Sequence, residues 1–172
     1  MNSSTLIVIG VVEAGAQGLA ETAEGAQGGV AVLATVGTCA SNAYPKAIAK
    51  VSNRPVRQLS SATLAAAIEG DPSVKTPIRD IIRADVGAFL KSAAADDAAP
   101  IDTLMLGCTH YPLVADEIAA CGRGQGKGVL VMANGDRIDG EGSHRQTRSE
   151  SRRCHHPRPG PRTPRHAPGT EL

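Results

Sequence analysis

Tryptophan is absent from the 172 residues, phenylalanine occurs once (Phe89) and tyrosine twice (Tyr44 and Tyr111). A core must therefore be built from alanine, valine, isoleucine and leucine. No stretch reaches the roughly 18 consecutive apolar residues that a membrane-spanning helix needs. Residues 1–5 hold no basic side chain and the apolar run at 6–12 is short, so neither a secretory signal nor a membrane partner is expected. The expected location is the cytoplasm. The four cysteines, Cys39, Cys108, Cys121 and Cys154, form no C-x-x-C pair and read as free thiols.

The net charge of +1 joins two unlike parts. Residues 1–140 hold 11 basic and 14 acidic side chains, whereas 141–172 hold seven arginines and three glutamates. The last segment also carries five of the eleven prolines and four of the five histidines, with one leucine as its only large aliphatic residue. Such a composition cannot offset chain entropy by burial, so residues 139–172 are expected to be a disordered tail behind a domain at 1–138. An arginine-rich tail could favour nucleic acid, but the body is acidic and no aromatic platform accompanies the arginines. No nucleic-acid partner is therefore expected.

Short β-branched runs alternate with alanine-rich or amphipathic stretches. Strands are expected at 6–12, 30–34, 56–59, 102–106 and 129–132, and helices at 13–26, 40–50, 61–69 and 113–121. Thr76 and Pro77 look like an N-cap and a first-position proline. From there Ile78, Ile81, Ile82, Val86, Phe89 and Leu90 recur at helical spacing. The alternation argues for an α/β fold with a mainly parallel sheet flanked by helices.

In such sheets ligands bind beyond the carboxyl ends of the strands, where two segments stand out. Residues 34–44 offer Thr35, Gly37, Thr38 and Ser41 ahead of a helix. That arrangement suits an anion at the helix N-terminus. It equally suits a strand–loop–helix junction in which Ser41 or Thr38 merely caps the helix. The second segment is Leu106-Gly107-Cys108-Thr109-His110-Tyr111-Pro112. A thiol at a strand end, near a helix start and two residues from an imidazole, can become a thiolate, and His110 can move a proton. The plain alternative is a buried cysteine beside a surface histidine. Further ligands at zinc spacing are lacking, so no metal is expected.

Taken together, the two segments resemble the T-x-G-T-x-x-S-x-x-Y and D-x-x-x-L-G-C-T-H-Y-P-L motifs of glutamate racemases, and residues 8–16 are similar to the strand and turn that open that family's second domain. The resemblance covers roughly residues 6–120. It implies an isomerase that needs no cofactor. One thiolate removes the α-proton of glutamate and a second thiol on the opposite face returns one, supplying D-glutamate for peptidoglycan. Carried onto this chain, Cys108 takes one acid/base role and His110 assists it. Thr109 holds the substrate, and Thr35 and Thr38 line its carboxylate site.

The family's first-domain motifs, including that of its first catalytic cysteine, are not found here. Ser61-Ala62 stand where the family commonly has Cys-Pro. Cys39 reads as a small structural residue. The chain is thus expected to hold half of a two-base site, with little activity alone. The other expectations are a non-catalytic remnant that binds an anion or a partner, and self-association through an uncovered apolar face.

Overall fold

A computed structural model describes residues 10–22, 25–95, 99–123, 129–133 and 136–138. The tail expected at 139–172 lies outside the described residues, as does 6–9 of the first expected strand. Val11 and Val12, also assigned to that strand, instead open a helix, α1 (Val11–Thr22).

Among the described residues, five strands form one sheet in the order β2-β1-β3-β4-β5. These are β1 (Gly29–Thr35), β2 (Val56–Ser61), β3 (Ile101–Leu106), β4 (Leu130–Ala133) and β5 (Asp136–Ile138). The first four are parallel, and β5 runs antiparallel to β4. β5 was not expected, since three residues with one isoleucine carry no readable period. Strand β1 is an interior strand between β2 and β3, and Val30 to Ala34 are completely buried. Its unbroken apolar run follows from having helices on both faces.

Val30, Val32, Ala34, Met105 and Met132 face one layer, packed on Ala16 and Leu19 of α1 and on Tyr44 and Ile48 of α3 (Ala43–Ile48). Ala31, Leu33, Leu104, Leu106 and Val131 face the other. There they meet α4 (Leu64–Glu69), the paired helices α5 (Ile78–Ile82) and α6 (Ala88–Ala95), and α7 (Ala115–Arg123). Each fully buried leucine or isoleucine contributes about 1.5–3 kcal/mol. Aliphatic side chains on two faces therefore serve in place of aromatics.

Several boundaries differ from expectation. The helix expected at 40–50 is two, α2 (Val36–Ser41) and α3, divided by Asn42 in the left-handed region at φ 54°. Helix α4 starts at Leu64 rather than 61 and ends at Gly70, φ 77°, a conformation that glycine adopts without strain. Pro77 occupies the N-cap position itself, and no side chain caps α5. The amphipathic stretch is helical as expected, but a π turn (Arg83–Gly87) separates α5 from α6. No helix among the described residues is long and apolar enough to cross a membrane.

At the amino end of the sheet Arg54 clasps the starts of β1 and β3. Its guanidinium donates to the Gly28 carbonyl (2.8 Å), to the Thr103 hydroxyl (2.8 Å) and to the Asp102 carboxylate, which also accepts from the Gly28 N–H. This network fixes the base of β1 and β3, whose opposite ends carry the two motifs.

Candidate active site

The carboxyl ends of β1 and β3 lie side by side, with Leu33 paired to Leu106. One residue further the Gly107 N–H donates to the Leu33 carbonyl at 2.7 Å. The strands thus deliver Thr35 and Cys108 to neighbouring positions at one rim. The approach depends on Gly107, because a Cβ there would stand 2.8 Å from the ring of Tyr44 and 3.2 Å from Ala34 Cβ. Both motifs therefore meet through Tyr44, the last residue of the first.

Thr35 caps α2. Its hydroxyl accepts from the Thr38 N–H (3.4 Å) and lies 2.9 Å from the Thr38 hydroxyl. The loop expected at 35–38 is thus a cap and a first helical turn. Ser41 donates to the Thr38 carbonyl (2.7 Å) at the end of α2 and accepts from the Ala43 N–H (3.2 Å) at the start of α3, so it joins the two helices. Above Gly37 a Cβ would meet nothing within 4 Å, so open space adjoins the two threonines.

Cys108 is half-buried and its sulfur lies 3.6 Å from His110 Nδ1. On the far side of the imidazole, His110 Nε2 lies 2.7 Å from Glu69 Oε1 at the end of α4. With Glu69 accepting from Nε2–H, the Nδ1 lone pair is left facing the thiol, which is the tautomer able to accept its proton. Thr109 is exposed beside them. The α-helix expected from residue 113 is preceded by a 3-10 turn (Tyr111–Val114), so a tighter turn rather than an α-helix follows Cys108 directly.

Glu69 was missed from the sequence. It lies 41 positions before His110 and reads there as an ordinary exposed acid before a helix-ending glycine. Asp85 and Ser61 were missed as well. The Ser61 hydroxyl, at the end of β2, donates to Asp85 of the π turn (2.6 Å) and accepts from the Leu64 N–H (3.2 Å). Ser61 thereby fixes the start of the helix that carries Glu69.

Tyr111 is completely buried and its hydroxyl has no hydrogen-bond partner among the described residues. Burial raises its pKa strongly, and neighbouring acidic groups, Asp85 among them, add to the rise. Burial likewise raises the thiols of Cys39 and Cys121, which fits Cys39 as a packed side chain. Among the described residues no three His, Cys, Asp or Glu side chains converge as a metal centre would require.

A parallel α/β domain with a thiol–imidazole–carboxylate chain at the strand ends defines the class: an α/β domain equipped for proton transfer. No family model matches the chain. Individual relatives do. It is 38% identical over 130 residues to glutamate racemase of Lactobacillus johnsonii, a match covering 75% of this chain and 45% of the relative. To glutamate racemase of Shouchella clausii it is 33% identical over 114 residues, 66% of this chain and 38% of the relative. Among solved structures, a glutamate racemase isoform from Bacillus anthracis superposes with a TM-score of 0.59 at 29% identity, covering 77% of this chain and 46% of that one. The glutamate racemase of Francisella tularensis in complex with D-glutamate gives 0.55 at 25% identity, covering 73% and 41%. The chain is a homologue of the glutamate racemases and spans less than half the length of these relatives. That partial coverage fits the C-terminal portion expected from the order of the motifs.

Proposed function

We propose that this chain provides one of the two acid/base centres of a glutamate racemase, with Cys108 as its proton-transfer group. The observation that carries the reading is the Cys108–His110–Glu69 chain at the carboxyl end of the sheet. The α-proton of an amino acid is weakly acidic, and without an electron sink its removal requires a strong, well-placed base. A thiolate at Cys108 takes that proton from one face. The carbanion is inverted when a thiol on the other face returns one. His110 holds the proton exchanged with Cys108, and Glu69 orients the imidazole. Thr35, Thr38 and Thr109 offer hydroxyls to the substrate carboxylates. No cofactor enters this scheme. The role is that of a cytoplasmic supplier of D-glutamate for cell-wall peptidoglycan.

A one-centre site makes a specific prediction. The purified chain in D2O should exchange the α-hydrogen of one glutamate enantiomer, seen by proton NMR, with little net racemisation. Cys108→Ala should abolish the exchange. Exchange that survives Cys108→Ala, or its absence in the native chain, would overturn the reading.

A further inference from the structure

A concave site lies on the outer surface of the helical layer, between the α5–α6 pair and α7. Its volume is about 680 Å³, within the range of about 300–1,000 Å³ typical of small-molecule sites. Arg79, Arg83 and Lys91 stand on one wall, and Asp116 and Glu117 on the other. It shares no lining residue with the Cys108 site.

The π turn aligns the cationic wall. Arg79 and Arg83 are one turn apart, but in a straight α-helix of about 3.6 residues per turn Lys91 would be offset from Arg83 by roughly 80°. A π turn takes up about one extra residue, so the eight residues from Arg83 to Lys91 close two whole turns and bring Lys91 back into the row. Between the walls lie Ile82 and three small residues, Gly87, Ala120 and Cys121. A Cβ at Gly87 would touch the Cys121 sulfur at 3.5 Å, so any larger residue there would fill the depression.

The two walls do not neutralise each other. Arg83 pairs with Asp80 of its own helix at 3.6 Å, an exposed contact. Among the described residues no ion pair joins Arg79 or Lys91 to Asp116 or Glu117. Opposite charges that face one groove without pairing across it suit a molecule that bridges them.

We propose that this groove is a binding site for a zwitterionic ligand of dipeptide size. Its anionic groups lie on Arg79, Arg83 and Lys91, and its ammonium lies on Asp116 and Glu117. The dipeptide alanyl-glutamate has one ammonium and two carboxylates and serves as the probe, with glutarate as the dianion that lacks the ammonium. Calorimetry on the full chain should show the dipeptide binding about tenfold more tightly than glutarate. Bound dipeptide should slow alkylation of Cys121, followed by mass spectrometry. Arg83→Ala with Lys91→Ala should abolish both effects, and Asp116→Asn with Glu117→Gln should reduce the dipeptide to the affinity of glutarate. Circular dichroism checks that each variant is folded, and Arg79→Ala provides a milder loss on the same wall. Equal binding of dipeptide and glutarate, binding that survives loss of the cationic wall, or no protection of Cys121 at about 10 mM probe would overturn the proposal.

Discussion

The ring of Tyr44 fills the space that a side chain at Gly107 would need, with a Cβ there only 2.8 Å from Tyr44 Cε2 and 3.1 Å from Val32 Cγ1. This contact locks the loop that bears Cys108 onto the segment that bears Thr35 and Thr38. Neither partner can yield easily, since Tyr44 is buried and Val32 is completely so. Gly107→Ala should therefore destabilise the fold by about 1–3 kcal/mol, the usual cost of overpacking a closed core. It should also displace Cys108 from its rim. Urea denaturation measures the first effect and the alkylation rate of Cys108 the second. An unchanged unfolding midpoint would show that the loop adapts freely.

Glu69 touches His110 at 2.7 Å, yet its side chain is 61% exposed. An exposed pair of this kind is worth about 0.2–1 kcal/mol, so Glu69→Gln should leave the unfolding midpoint nearly unchanged. Its effect should appear at the thiol. Losing the carboxylate frees the imidazole to turn away, and up to 1 kcal/mol corresponds to a factor of roughly five at most in reactivity. Alkylation of Cys108 at neutral pH should slow by up to that factor, with Cys39 and Cys121 unaffected as internal controls. Equal rates at Cys108 would remove Glu69 from the site.

How much of this could be read from the sequence depended on whether the signal was local. Strands β1 and β3 and their two rims were legible, because a buried parallel strand is a continuous apolar run and each motif follows one directly. The division at Asn42 was missed although Pro45 lies within residues 40–50: it falls in the first turn of α3, where proline's missing N–H breaks no helical bond, so it marks a new helix start rather than an interior position. The π turn was hidden for a different reason: Ile78, Ile81, Ile82, Val86, Phe89 and Leu90 fit an α-helix, and the extra residue shows only in backbone geometry. Glu69 was invisible because its meaning comes from a partner 41 positions away. Pairings across the fold leave no period in the chain.

Asp102 belongs to the same motif as Cys108 but lies at the other end of β3. It binds Arg54 and the Gly28 N–H, and the Arg54 side chain is only 12% exposed. Hydrogen bonds to charged groups contribute about 1.5–3 kcal/mol each. Asp102→Asn should thus lower stability by about 2 kcal/mol, read from urea denaturation, while leaving the alkylation rate of folded Cys108 unchanged. A parallel loss of thiol reactivity would mean that the base of the sheet does influence the rim.

Two buried tyrosines and two half-buried cysteines set an alkaline limit on the fold. Tyr44 and Tyr111 are raised from an ordinary 10.0, and Cys39 and Cys121 from 9.0, in each case mainly by burial. A folded pKa above the unfolded one means the native state holds its proton longer. The stability linked to it is complete below the unfolded pKa and is lost as pH rises toward the folded one. The urea midpoint should therefore hold up to about pH 9 and fall beyond it, first through the cysteines and then, above about pH 10, through the tyrosines. Tyr111 has the largest shift, and its buried hydroxyl is unpartnered among the described residues. Removing that hydroxyl deletes a titrating group without breaking a hydrogen bond among those residues. Tyr111→Phe should leave stability at pH 7 within about 0.5 kcal/mol of the native chain and flatten the decline above pH 10. A variant that falls as steeply as the native chain would assign the alkaline limb to other groups.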